Sequence, residues 1–313
     1  MRRGSARKQV GGNSVLSLVA LLLLFALANA SMSGAGQTSA NVVRPRINLT
    51  HMTRITTVIP LALVTPAMAQ NIGPGSHLII EIPGAGTFGC TANFVWASGV
   101  TRYLGAAGHC FLPEGTTATH GPGANYDASG VQVSVCVSNC SFGGETGFVL
   151  TGDLVSLGAV AYARQTASDG DIGNDFGVVA IPASLGSQIR AAMPVFGGPT
   201  TVETVALGQP LCHYGNGVVV GETFLTMARI GVGTGSTPNS WMGDLAAAPG
   251  DSGSAVVTCD TSGTEFHGRG AAGVLTHLAV VIGTEHGFVF GTTTRRAIEM
   301  GREASLSLTL VFP

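Results

Sequence analysis

Hydrophobic positions along the chain fall into two regimes. Val15–Leu27 is one long apolar run, interrupted only by Ser17. From about Ser76 onward, apolar residues come instead in short β-branched or alternating runs separated by Gly, Pro, Asn and Ser. His77–Ile82, Cys90–Trp96, the stretch from Arg102 toward His109, Phe176–Ile181, Thr201–Leu207, Val218–Thr223, Thr226–Ile230, Ala255–Thr258 and Gly273–Leu278 read as strands. Pro83-Gly84-Ala85-Gly86, Ser98-Gly99 and the Pro194, Gly197, Gly198, Pro199 group read as turns. Residues 113–130 are rich in Gly, Thr and Asn and read as a surface loop. Helical patterning occurs once, over Thr293–Ala304, and Ser305–Phe312 reads as a further strand. This pattern predicts an all-β barrel or sandwich.

Composition supports that fold class. Only 10% of the residues are charged against 45% apolar, which excludes a disordered chain. With 313 residues, one large or two small domains can each bury a core. Arg2, Arg3, Arg7 and Lys8 precede the long apolar run, and Ala28-Asn29-Ala30 follows it as a small-x-small cleavage site. Together these predict a secretory signal peptide over residues 1–30. An uncleaved anchor is the alternative, but the run is shorter than the ~20 residues a spanning helix needs. The 15 basic and 17 acidic residues become 11 and 17 once those four are removed, a net charge of −6. With no basic stripe left, nucleic acid is excluded as a partner. Residues 31–75 read as a linker or short pro-segment, although Met52-Thr53-Arg54 and the apolar Val58–Val64 also suit a second start and signal.

The chemistry centres on Ala247-Ala248-Pro249-Gly250-Asp251-Ser252-Gly253-Ser254-Ala255. A serine between glycines, followed at once by a β-branched run, reads either as a nucleophile or as a plain tight turn between strands. Its hydroxyl needs a base and oriented amide donors to act as a nucleophile. The Gly250 and Ser252 amides are the candidate donors. His109 is the candidate base, at the end of a strand and beside Cys110. In a secreted chain Cys110 is expected to pair with Cys90, which would staple the histidine loop to its neighbour. Cys136 and Cys140 lack further ligands at metal spacing and predict a small disulfide loop at a hairpin tip. Asn139-Cys140-Ser141 and Asn48-Leu49-Thr50 match the glycosylation sequon. Asp169-Gly170-Asp171-Ile172-Gly173-Asn174-Asp175 is an acidic cluster without a full calcium-loop pattern, so no metal and no cofactor are expected.

Ala106-Ala107-Gly108-His109-Cys110 and Gly250-Asp251-Ser252-Gly253 resemble, in order, two signatures of the chymotrypsin-like serine proteases. Asn174-Asp175 leading into Phe176–Ile181 fits the third, with Asp171 in reserve. The resemblance spans about residues 76–300. It implies two antiparallel β-barrels, here over residues 76–190 and 191–313, with a short helix near the C-terminus. It implies a secreted, monomeric, bacterial-type endopeptidase acting on polypeptides, with Ser252 as nucleophile, His109 as base and Asp175 as its orienter. It also pairs Cys212 with Cys259, completing one of the fifteen connectivities that six cysteines allow. Asp251 becomes a buried carboxylate that must find a cation. His213, next to Cys212, is the expected partner, with Arg229 or a backbone donor as the alternative. The implied specificity pocket is walled by Ala246, Ala247, Thr276 and His277, with Phe288 at its base. Small apolar walls imply a small or medium apolar side chain in the substrate, while His277 and His286 leave an acidic one as the alternative. Gly253-Ser254-Ala255 departs from the Gly-Gly-Pro common in the family. An inactive binding module on the same scaffold and an esterase using the same site are the rival functions.

Overall fold

The structure is a computed structural model that describes residues 71–143, 149–165, 172–217, 227–262, 265–280 and 287–313. The expected signal peptide, most of the 31–75 segment, Asp169–Asp171, the 218–223 run and His286 lie outside the described residues, as do the side chains of 140–143, 149–151, 279, 280 and 287.

The first half contributes β1 (His77–Ile82), β2 (Gly86–Thr91), β3 (Val95–Ser98), β4 (Thr101–Ala106), β5 (Gln132–Gly143), β6 (Val149–Ser156), β7 (Val160–Arg164) and β8 (Phe176–Ile181). They lie in two sheets, one ordered β2-β1-β5-β6 and the other containing β3-β4-β8-β7. Two bends join the sheets. Ala92 N–H bonds to Ser76 O, on the β1 side, while Asn93 N–H bonds to Gly105 O, both at 2.8 Å. Likewise Leu157 N–H bonds to Val133 O and Gly158 N–H to Ala180 O, both at 2.8 Å. With β2/β3 and β6/β7 each acting as one bent strand, the ladder closes into a barrel. The predicted strand Cys90–Trp96 is therefore broken at residues 92–94. Asn93 is the cause: its Oδ1 accepts the Phe94 N–H at 2.7 Å and the Trp96 indole N–H at 3.0 Å, replacing ladder bonds with local ones.

The second half contributes β9 (Thr201–Val202), β10 (Pro210–Tyr214), β11 (Ala228–Ser236), β12 (Ser240–Asp244), β13 (Ala255–Ser262), β14 (Glu265–Val280) and β15 (Gly287–Thr293). Their order is β13-β10-β11-β12-β15-β14, and β13 pairs with β14 to close the ring. β9 adds to β14 in parallel. The run predicted over Thr201–Leu207 is thus a strand only at its first two residues. The chain is all-β, built as two closed antiparallel barrels.

Each barrel has its own core, with Leu78, Ile80, Leu104, Val135 and Val179 in the first and Leu211, Trp241, Val256, Leu275 and Val289 in the second. A third cluster forms the seam. Phe94, Trp96, Tyr162 and Phe176 from the first half pack on Met193, Phe196, Tyr214, Met300 and Leu308 from the second. Trp96 meets Phe176 edge-on at 5.3 Å between ring centroids, the arrangement that aligns a ring's positive edge with a negative face. α1 (Thr294–Glu303) buries Thr294, Ala297, Met300 and Gly301, a stripe at helical spacing. After it, β16 (Thr309–Leu310) crosses back and pairs with β3 of the first barrel.

Thr293 caps α1. Its Oγ1 accepts the Arg296 N–H at 3.1 Å and its hydroxyl donates to Pro238 O at 2.9 Å. Thr293→Ala removes both bonds and is expected to cost about 1–2 kcal/mol in urea unfolding, the scale of a lost cap.

Candidate active site

β4 ends at Ala106, and a 3₁₀ turn, Gly108–Cys110, follows at once. A disulfide joins Cys110 to Cys90 at the end of β2, which fixes this turn against its neighbour. Asp175 immediately precedes β8. Because Ala106 pairs with Gly177 across the β4–β8 ladder, His109 and Asp175 meet at the barrel rim. Asp175 Oδ2 lies 2.7 Å from His109 Nδ1, and Oδ1 accepts the His109 backbone N–H at 3.0 Å. A carboxylate only accepts, so Nδ1 carries the proton and Nε2 is left as the ring's acceptor. Asp175 is also held from the second barrel. Its N–H donates to Thr292 Oγ1 at 3.0 Å, and the Thr292 hydroxyl donates to Asp175 O at 2.9 Å. Arg296 Nε and Nη2 grip the Oδ1 of the preceding Asn174 at 2.9 and 2.6 Å.

Burial opposes charge on both members of the pair, yet their mutual attraction and hydrogen bonds win. The His109 pKa is raised above its ordinary 6.5 and that of Asp175 is lowered below 3.8. His277 lies close enough to add a smaller pull on Asp175.

Ser252 sits in the turn that leads into β13. Asp251 N–H bonds to Ala248 O and Ser254 N–H to Asp251 O, both at 2.9 Å. Gly253 N–H bonds to Leu275 O at 2.7 Å. The turn is pinned to the first barrel as well: Thr91 N–H donates to Ser252 O at 2.9 Å, and Cys110 Sγ is 3.8 Å from that oxygen. Gly253 has φ +92°, and a Cβ there would lie 2.5 Å from Thr91 O and 2.8 Å from Ala107 N. No other residue fits, so the turn rests on the backbone two positions before His109. Gly250 has φ +103°. Among the described residues, the Gly250 and Ser252 N–H groups bond to no other group, and no hydrogen bond joins Ser252 Oγ to His109 Nε2. The serine and histidine elements meet through backbone and disulfide.

The expected His213–Asp251 pair is corrected. Asp251 is fully buried and paired with Arg229. It also accepts the Gly217 N–H at its Oδ1 and the Ala248 N–H at its Oδ2, both at 2.7 Å. His213 is fully buried beside them but bonds elsewhere, with Nε2 2.9 Å from Ala246 O and Nδ1 3.2 Å from Ser254 Oγ. The carbonyl only accepts, which puts the proton on Nε2 and makes Nδ1 the acceptor of the Ser254 hydroxyl. The reason is desolvation: a guanidinium holds its charge when buried, whereas burial drives an imidazole neutral.

Ala246 is exposed, Ala247 is half-buried against the second core, and Thr276 is buried with its Oγ1 2.7 Å from His277 Nδ1. Phe288 departs from its expected place. It is 37% exposed on β15 opposite Asp244 of β12, while its neighbour Val289 fills the core. Strand alternation thus turns Phe288 outward instead of onto a pocket base. A second disulfide joins Cys212 to Cys259, and Cys136 is also disulfide-bonded. Its expected partner Cys140 lies outside the described side chains. Among the described residues Cys90, His109 and Cys110 cluster tightly enough for a metal, but the two sulfurs are already bonded to each other. No described helix is long and apolar enough to cross a membrane. Sequence reasoning missed Thr91, Thr292 and Arg296, because threonines in a β-rich chain and one arginine on a helix carry no distinguishing pattern.

No family model and no curated protein matches the chain by sequence. In three dimensions it is similar to protease A of Thermobifida fusca, at 19% identity and TM-score 0.44, covering 77% of this chain and 99% of that one. It is similar to the chymotrypsin of Cellulomonas bogoriensis at 16% identity and TM-score 0.44, covering 77% and 98%. It is similar to the protease Anisep of Arthrobacter nicotinovorans at 14% identity and TM-score 0.48, covering 76% and 98%. Likeness this distant fixes no activity.

Two outcomes follow from the buried charges. Arg229→Leu leaves Asp251 without its cation and is expected to cost about 3–5 kcal/mol in denaturant unfolding. His213 has its pKa lowered to about 4 by burial, with Asp251 opposing and Arg229 reinforcing the shift. The unfolded chain takes up that proton near pH 6.5. Below that pH the unfolded state binds more protons, so stability falls between about pH 6.5 and 4 and is full above it. The gap corresponds to about 3 kcal/mol. His213→Gln should flatten the stability–pH slope in this window by up to about one proton, measured by urea titrations at a series of pH values.

Proposed function

We propose that the protein is a serine hydrolase that cleaves peptide bonds through an acyl-enzyme. The observation that carries this reading is the Asp175 carboxylate binding both Nδ1 and the backbone N–H of His109, which fixes the ring and leaves Nε2 as its acceptor. Ser252 Oγ attacks the substrate carbonyl carbon and passes its proton to His109 Nε2. The Gly250 and Ser252 amides receive the oxygen that becomes negative. His109 then protonates the leaving amine as the C–N bond breaks, leaving an ester on Ser252. Water, deprotonated by the same nitrogen, hydrolyses that ester and restores the serine. Asp175 stabilises the imidazolium at each transfer. The Ala246, Ala247, Thr276 and His277 surroundings favour a small or medium apolar residue before the scissile bond. A secreted, monomeric protein that needs no cofactor fits this chemistry, with residues 1–30 removed on export.

The test is a fluorophosphonate labelling and peptide-library assay. The parent should be labelled at Ser252 and cleave peptides, and Ser252→Ala should do neither while keeping the parent's thermal midpoint. An unlabelled, inactive parent would indicate a binding module, and cleavage of esters alone an esterase. Since His109 must be neutral and its pKa is raised, kcat/KM should rise through an acid limb above pH 6.5. Asp175→Asn should reduce kcat by about 10⁴ and move that limb lower.

A further inference from the structure

The geometry points to Thr91 as a positioning residue that holds the oxyanion-binding amides in place, an inference that rests on the reading of Ser252 as nucleophile. Thr91 is fully buried at the end of β2, in the first barrel. Its hydroxyl reaches across the seam and donates to Gly250 O at 2.8 Å. The same oxygen accepts the Asn216 backbone N–H at 2.9 Å and the Asn216 Nδ2–H at 3.2 Å. A hydroxyl has one hydrogen and two lone pairs. Both lone pairs are taken by Asn216, so its hydrogen has one place to go, and the bond to Gly250 O is directional.

Asn216 is itself anchored. It is buried, and its Nδ2 also donates to Gly75 O at 2.8 Å. The next residue, Gly217, donates to Asp251 Oδ1. Thr91 thus grips the serine turn at two carbonyls, Gly250 O through its hydroxyl and Ser252 O through its N–H. Between those carbonyls lies the backbone that orients the Ser252 amide. Gly250, with φ +103°, has no side chain to restrict it, and the peptide plane that follows it is held at both ends, at Gly250 O by the Thr91 hydroxyl and at Asp251 N–H by Ala248 O. The preceding residue is Cys90, whose disulfide fixes the turn carrying His109. One dipeptide therefore reaches both the histidine turn and the serine turn, and the hydroxyl is the side-chain part of its hold on the serine turn.

Thr91→Val keeps the shape and the N–H and removes the hydroxyl. Thr91→Ala also removes it but leaves room for water, and Thr91→Ser retains it. All three are compared with the parent by steady-state kinetics on a chromogenic peptide and by amide hydrogen exchange across residues 247–255. In Val and Ala, kcat is expected to fall about 10–100-fold with KM within about twofold, because only the transition state uses the amides. Exchange in the turn should quicken while the rest of the second barrel keeps the parent's protection. Ser should restore both. Parent-like kcat and exchange in Val overturn the inference, as does a loss that Ser fails to restore or failure of both Val and Ala to fold. An inactive parent removes the peptidase reading alone. Hydrogen exchange then decides whether the hydroxyl holds the turn, and unaltered exchange overturns it.

Discussion

A carboxylate with no access to solvent governs the serine turn. Asp251 adjoins Ser252, so whatever fixes one backbone fixes the other. An isolated buried carboxylate would cost far more than a domain's net stability. Here its oxygens are satisfied by the Arg229 guanidinium and two backbone amides, from Gly217 and Ala248. Those donors come from β11, from the chain after β10 and from the turn itself. The turn cannot relax without stripping a buried charge of its partners. The same desolvation that makes Arg229 the cation keeps His213 neutral, and as a neutral ring it bridges Ser254 and the Ala246 carbonyl.

The candidate site belongs to the seam and to neither barrel alone. His109 comes from the first barrel and Ser252 from the second. Asp175 opens a strand of the first, yet Thr292 and Arg296 of the second hold its backbone and its neighbour. The aromatic cluster of Trp96, Phe176 and Tyr214 packs the seam behind these residues. Relative movement of the barrels would therefore separate Ser252 from the His109–Asp175 pair, and dense packing resists it.

Much of this was legible because some residues have few other uses. A serine between two glycines ahead of a β-branched run, and a histidine between glycine and cysteine, each leave a local trace. β1 and β8 follow the predicted boundaries because their alternation and flanking turns agree. The break at Asn93 was hidden, since a side chain that captures indole and backbone donors looks in sequence like one polar residue in a strand. The cation for Asp251 was ambiguous because spacing says nothing of desolvation, which separates arginine from histidine only once both are buried. Thr91 and Thr292 were invisible for a related reason: in a β-sheet a threonine is ordinary, and only tertiary contact shows that its hydroxyl is used.

The pairing of β16 with β3 bears on biogenesis. The Thr309 hydroxyl bonds to Ala97 O, a contact 212 positions apart in sequence. During synthesis this edge of β3 has no partner until residues 309–310 have been made. Closing so long a loop is entropically slow, and unpaired edges invite association with other chains. The β3 edge is thus covered by a contact that forms late, after both barrels have been synthesised.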